Sequence, residues 1–518
     1  MNLIESKSIT KFKNHNYKIF EHSKKKSNSI ILVEFHGWCS AHICYSYLIN
    51  TLKKKFKSKV LAYEGYTLIS SKIDQTIFQK IKSHVGKSTS LNFFGVYDSI
   101  GTEEFIRVKK SRYIDIKYNE FCKKKINLKN KNDLINLKIN NIWVGDLIYD
   151  TFLKIKKVPT INIHSEEFIK FFNDAVYVFF YWNEFFKKNN VKALIISHST
   201  YLYGMVMRIA NSNKVTVYKP TFNTIYKIKK KNFTIGDEFF SLKKKFQNLP
   251  KKIQKNGLKL AENEIEEMYK GNKKFALGYN YKNRKVNILN VNKNKILIAM
   301  HNFYDSPHVF GKMLFPDFYE WLNHIVELSK KTNYEWYFKL HPENTKKDLN
   351  LIKKILSKNK KIKLISSKIN NNIIFNIGIN CVLTCFGSIG YEFAYQGIKV
   401  INACVRNPHA GYGFTLNPKT ITEFDHMILN IHKIKLNIKK AEILEFLFMR
   451  RYFLRINWLQ LSTNQISKGF GWKNKIYRPY MYDVWVNEFD NKKHNKINRI
   501  CNKFITSNHY KLERLHCE

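Results

Sequence analysis

The sequence predicts an α/β protein: two doubly wound halves facing each other across a cleft, followed by a helical tail. Three observations carry this. Short apolar runs alternate with segments of helical periodicity over residues 29–218 and again over 295–402, the pattern of parallel sheets covered by helices on both faces. Between the two series, from about 226 to 290, lysine and asparagine rise and strand signals fade. Finally, the conspicuous polar clusters each follow an apolar run, and open parallel sheets bind ligands beyond the carboxyl ends of their strands.

In the first half (1–290), Ser29-Ile-Ile-Leu-Val-Glu-Phe35 reads as a buried strand ending at His36-Gly37. Ala41 to Phe56 has helical periodicity, and Lys59-Val-Leu-Ala-Tyr63 is a second strand, ending at Glu64-Gly65. Phe168 to Lys188 predicts a long aromatic-rich helix, leading into the strand Val191-Lys-Ala-Leu-Ile-Ile-Ser197, which stops at His198-Ser-Thr200. A helix from Tyr203 to Asn211 and a strand Val215-Thr-Val-Tyr218 follow. Residues 226–290 read as helical elaboration, with Leu258 to Lys270 a charge-laced helix.

The second half (291–435) opens with the strand Lys295-Ile-Leu-Ile-Ala-Met300, ending at His301-Asn-Phe-Tyr-Asp305. A helix from Asp317 to Lys331 precedes the strand Glu335-Trp-Tyr-Phe-Lys-Leu340, which stops at His341-Pro342. Next come a helix (Lys347 to Ser357), a strand (Ile362 to Ile365), a helix (Asn371 to Ile377) and the strand 381–384. Gly387, Ser388 and Gly390 break that strand, and Tyr391 to Gln396 reads as the start of a helix. Lys399-Val-Ile-Asn402 closes the set. Beyond Ile421 the pattern is helical to the end, with 436–518 a helical tail.

The 518 residues are 44% hydrophobic and 15% aromatic, which excludes a disordered chain. The net charge of +50 is spread from end to end, and lysine far outnumbers arginine. Nucleic-acid binders instead concentrate charge on one face and favour arginine forks, so no nucleic-acid partner is expected. The runs Lys24–Lys26, Lys123–Lys125 and Lys229–Lys231 suit peripheral contact with an anionic membrane face. No segment is long and apolar enough to span a bilayer, and the N-terminus lacks the apolar core of a signal peptide. The eight cysteines form no C-x-x-C pair and read as reduced thiols of a cytoplasmic protein.

Candidate sites lie at the strand ends. Thr384-x-x-Gly387-Ser388-Ile389-Gly390-x-Glu392 offers hydroxyls and backbone N–H groups to a phosphate, with Glu392 available to ribose hydroxyls. Lys339, His341 and Pro342 end an earlier strand, and an imidazole there donates to a phosphate or base oxygen. Asp305 and His308, after the first strand of the second half, are candidate catalytic groups, as base or as stabiliser of a leaving phosphate. His36, Gly37, His198 and Ser199 would face the cleft from the acceptor side, and Glu34, Glu64 and Asp98 are further candidate bases. Arg406, His409 and Tyr412 are expected to close over the donor.

Residues 295–425 resemble bacterial capsule and surface-polysaccharide biosynthesis proteins of the GT-B glycosyltransferase fold, two Rossmann-like domains around a cleft. The resemblance is carried by His301-x-x-x-Asp305-Ser-Pro-His308, Phe315-Pro-Asp317, Lys339-x-His-Pro342, Thr384-x-x-Gly-Ser388-x-Gly-x-Glu392 and Gly397. A His-Pro pair and a later Ser/Thr pair also hold the nucleotide in sialyltransferases and Kdo transferases that use CMP-sugars. The resemblance implies that His341 contacts the nucleotide, and that Ser388 with the Gly387 and Ile389 amides contacts its phosphate. It implies transfer of a sugar from a nucleotide-activated donor to a glycan or lipid-linked glycan. With no Asp-x-Asp pair in place, no cofactor and no essential metal are expected. Two rivals share these features: a nucleotide-sugar 2-epimerase of the same fold, and a non-catalytic basic scaffold at a membrane or nucleic acid.

Overall fold

The computed structural model describes residues 3–20, 22, 27–64, 85, 93–123, 128–270, 293–467 and 478–518. Strands are numbered along the chain. The first half contributes β1 (Ser29–Glu34), β2 (Lys59–Tyr63), β3 (Glu104–Ile106), a small hairpin of β4 (Lys138–Ile139) and β5 (Ile142–Trp143), then β6 (Asn190–Ile195), β7 (Thr216–Thr221) and β8 (Thr224–Ile228). The second contributes β9 (Lys295–Ala299), β10 (Glu335–Lys339), β11 (Ile362–Ile365), β12 (Cys381–Thr384) and β13 (Lys399–Asn402).

Two open sheets result, in the orders β3-β2-β1-β6-β7-β8 and β11-β10-β9-β12-β13. All pairings are parallel except β7 with β8. This is the doubly wound, two-sheet α/β architecture read from the sequence. In each sheet the strand order reverses direction once, between β1 and β6 and between β9 and β12. Such a switch point leaves a crevice at the carboxyl ends.

The apolar runs are strands because both of their faces are covered. In β1, Ile30 and Leu32 join a core with Phe179 and Trp182 of the helix Glu166–Lys188, while Ile31 and Val33 join another with Ile43 and Leu48 of the helix Cys39–Phe56. In β9, Ile296 and Ile298 pack with Trp321 and Ile325, and Leu297 and Ala299 with Tyr391 and Phe393. Each fully buried Val, Leu, Ile or Phe among them contributes about 1.5–3 kcal/mol. The helix Phe318–Lys330 starts where expected because Asp317 caps it, accepting from the Glu320 N–H at 2.8 Å.

The structure corrects several expectations. Residues 226–228, expected to open the helical elaboration, belong instead to the strand β8, which forms a hairpin with β7. Its Lys227 is buried, donating to the Phe504 and Ser507 carbonyls at 2.8 and 2.6 Å. A helix Leu3–Ile19 precedes β1, and β3 and the β4–β5 hairpin were not anticipated. Beyond Ile421 the described residues form separate helices, the longest Asn491–Thr506, joined by turns and coil. The boundary expected near 290, Gly65, Lys24–Lys26 and Lys124–Lys125 lie outside the described residues.

The halves meet through polar contacts, the first two of them buried. His308 Nδ1 lies 2.6 Å from Asp150 Oδ1, and Asp317 accepts from Tyr149 and, at 2.6 Å, from Thr160. Lys131 pairs with Glu320, and Tyr201 donates to Asp305 at 3.4 Å.

Candidate functional site

At the switch point of the second sheet lies a cavity of about 220 Å³. Its walls are the ends of β9, β10 and β12, the turn at Gly387-Ser388, residues 367 and 370–372 after β11, Met268-Tyr269 and Arg451. All eight residues expected to hold a donor line it: Lys339, His341, Pro342, Thr384, Gly387, Ser388, Ile389 and Glu392.

The two histidines have assigned roles. His301, at the end of β9, stacks on Phe318, and its Nε2 accepts from Cys385 and Phe386 N–H and lies 3.2 Å from Thr384 Oγ1. Those contacts leave the ring proton on Nδ1. Burial, with His341 nearby, pushes its pKa down to about 3, so the ring is neutral. The Nδ1 of His341 accepts from Glu343 N–H, which leaves Nε2–H as a donor. Burial also lowers this pKa, against the pull of Glu343 and Asp305.

Charge on the cavity wall is organised by Asn371. It accepts from Lys339 Nζ and donates to Glu392 Oε2 at 2.6 Å. Burial lowers the Lys339 pKa to about 8, Glu392 opposing it. Arg451 pairs with Glu264 at 3.2 Å and donates to Tyr391 at 3.2 Å. Two cations, one carboxylate and two neutral imidazole donors suit an anionic ligand with polar edges. Ser388 makes no capping hydrogen bond to the helix Ile389–Tyr395 that follows it.

Other expectations are redistributed. His308 is buried against Asp150 and does not line the cavity, so its ring serves the contact between the halves rather than acting as an open base. Asp150 is pushed up to about 6 by burial; burial also opposes the charge on His308, but Asp150 with Asp146 and Asp317 together raise it. Asp305 is exposed between Tyr201 and His341. Arg406 pairs with Asp237, His409 is buried under Gly390, and Tyr412 packs on Phe414 and Phe446; none closes over the cavity.

In the first half, His36 uses both ring nitrogens, accepting from Trp38 N–H at 3.0 Å and bonding Tyr45 at 3.1 Å. Gly37 is not crowded, since an added Cβ would meet Phe93 at 3.5 Å. Ser199 is buried and accepts from Lys219 at 3.4 Å. His198 sits edge-on to Trp38, with ring centroids 4.2 Å apart. Glu64 is held by Arg107, and Asp98 accepts from Tyr17.

Ser367, Asn370, Asn371, Asn372, Met268, Tyr269 and Arg451 were not anticipated as wall residues. In so asparagine-rich a chain, three more asparagines carry no signal. The one available cue was Arg450-Arg451, an arginine pair where lysine is the rule.

No protein-family model matches the chain, and no curated protein matches its sequence. Among solved structures it is similar to the beta Kdo 2,4 transferase of Thermosulfurimonas dismutans KpsC (13% identity, 50% of this chain and 79% of that one, TM-score 0.30). It is also similar to a UDP-GlcNAc 2-epimerase from Neisseria meningitidis bound to UDP-GlcNAc (11%, 80% and 97%, TM-score 0.25). A third is a glycosyltransferase from Rickettsia africae (12%, 83% and 95%, TM-score 0.24). At these scores the likenesses carry no argument, and the fold stands on the sheet topology itself.

Proposed function

We propose that the chain is a glycosyltransferase that takes a sugar from a nucleotide-activated donor to a growing capsular or other surface glycan. One observation carries the reading: eight residues singled out for a nucleotide-sugar line a single cavity at a sheet's switch point. His341 and His301 offer neutral N–H donors, Ser388 and Thr384 offer hydroxyls, and Lys339 and Arg451 supply positive charge for a departing phosphate. Asp305 does not line the cavity, and its bond from Tyr201 across the halves keeps it as the candidate base of this reading. The reaction is read as requiring no metal, so turnover in EDTA is expected to equal turnover without it. A full loss restored by a divalent cation would overturn that.

The test is thermal shift against CMP, CDP, UDP and GDP, with CMP or CDP expected to give the largest rise. A ligand at a hundred times its Kd adds about 2.7 kcal/mol of apparent stability. Ser388→Ala and His341→Ala should each weaken the response at least tenfold in concentration. No shift with any of the four would sink the proposal. Turnover of UDP-GlcNAc without an acceptor would place the chain with the epimerases instead.

A further inference from the structure

The first sheet has a switch point too, between β1 and β6, and it holds a chain of three polar side chains. Glu34, the last residue of β1, is fully buried. Its carboxylate accepts from the Ser197 N–H at 2.6 Å and the Ser197 hydroxyl at 2.8 Å. Ser197 Oγ in turn lies 2.8 Å from His198 Nδ1. His198 is half-buried beside Trp38. Three residues along the chain from His198, Tyr201 donates to Asp305 of the other half.

We propose that Glu34, Ser197 and His198 form a proton relay, with His198 as the base that takes the proton of the acceptor hydroxyl. The proposal rests on the glycosyl-transfer reading above. A hydroxyl has one proton to give. When Glu34 is ionised, Ser197 donates to it and therefore accepts from His198 Nδ1–H, which leaves the lone pair on Nε2. When Glu34 is protonated the whole chain reverses: Glu34 donates to Ser197, Ser197 donates to Nδ1, and Nε2 carries the proton. The acid thus sets the tautomer of the imidazole, and Glu34 and Ser197 are positioning residues.

In the reaction the acceptor oxygen bonds the anomeric carbon as the bond from that carbon to the phosphate oxygen breaks. The electron pair leaves with the phosphate. The acceptor's proton passes to His198 Nε2, and the imidazolium is balanced through Ser197 by the Glu34 carboxylate before release to water.

The surroundings support this. Around Glu34 stand Tyr63 from β2, Tyr45 and His42 from the helix Cys39–Phe56, Tyr97, Tyr203 and His36. The phenols of Tyr45, Tyr63 and Tyr97 are pushed up and the imidazoles of His36 and His42 down by burial, so none of these five is charged near neutrality. Burial raises Glu34 to about 7, its hydrogen bonds from Ser197 and His198 opposing. Burial, with Lys219 and Lys154, lowers His198 to about 3, so the ring is neutral near pH 7 and either tautomer is open to it.

The test uses the full chain labelled with ¹⁵N-histidine. The His198 ring, identified by its disappearance in His198→Gln, is expected on Nδ1–H at about pH 8.5 and on Nε2–H at about pH 5.5. The change should centre on the Glu34 pKa of about 7 and vanish in Ser197→Ala. In parallel, release of CMP from a CMP-linked sugar, with water as acceptor, should fall about 10²–10⁴-fold in His198→Gln while the nucleotide thermal shift stays. In Glu34→Gln the limb of the rate profile near neutrality should disappear. A tautomer that ignores pH, or that changes identically in Ser197→Ala, overturns the relay. CMP release unchanged in His198→Gln overturns the base. A wild type with no nucleotide shift fails the donor reading instead, and the tautomer measurement still decides the relay.

Discussion

Lys339 shows how burial turns an ordinary residue into one with a pH-dependent task. Desolvation lowers its pKa to about 8, with Glu392 holding part of the charge in place, and Asn371 joins the two side chains. The ammonium therefore predominates below about pH 8 and the neutral amine above it, while a nucleotide phosphate stays anionic throughout. Nucleotide affinity should fall as pH rises through 8, measured by titration calorimetry between about pH 6.5 and 9.5. In Lys339→Met the affinity should be lower and flat over that range. A slope equal to the wild type's in that variant would assign the titration elsewhere. His301 and His341 do not compete for this role, because both pKa values move downward, away from the range measured.

At the scale of elements, both sheets do the same thing: a strand pair at the reversal point brings two polar loops together. His301 after β9 meets Thr384 at the end of β12, and Glu34 at the end of β1 meets Ser197 after β6. The turn after β12 also depends on a close approach. A Cβ on Gly390 would lie 2.6 Å from Cε1 of His409, a fully buried ring with both nitrogens unpartnered. Gly390→Ala should cost about 1–3 kcal/mol and weaken nucleotide binding by shifting the helix Ile389–Tyr395. Adding His409→Ala opens the space, and the double variant should regain most of the affinity; thermal shift with CMP reads both. The strands of these sheets were legible because burial on two faces writes itself as a continuous apolar run. The hairpin strand β8 was not, since its buried Lys227 draws its partners from carbonyls of the tail, far away in sequence. Likewise His341 and Ser388 were legible from their turns, whereas Asn371 acts only through what it bridges.

Over the whole molecule the tail is a second tie between the two sheets, beside the polar contacts of the halves themselves. Ile443, Phe446 and Met449 pack with Tyr391 and Phe414 of the second half, and the π-helical turn Met449–Phe453 then carries Arg451 to the cavity wall. From Ile456 onward the chain crosses to the first half. Trp458, Met481, Trp485, Ile500 and Phe504 enter the core of Ile31, Val33 and Leu48. Trp458 Nε1 donates to Thr221 O at 2.7 Å, and the Lys227 and Leu512 N–H groups bond Tyr510 O and Ile225 O, so the tail covers the edge of β8. With cores on both halves sharing this one segment, thermal unfolding should be a single transition despite the two sheets. Trp458→Ala should lower the stability of that transition by about 3–5 kcal/mol and leave nucleotide affinity within twofold, since Trp458 touches only the first half. Ending the chain after Phe453 keeps Arg451 but strips the first sheet of its cover, and that truncation should abolish the cooperative melt. Two separate transitions in the intact chain, or a truncated chain that melts as sharply as the wild type, would show that the halves are independent and that the tail does not tie them.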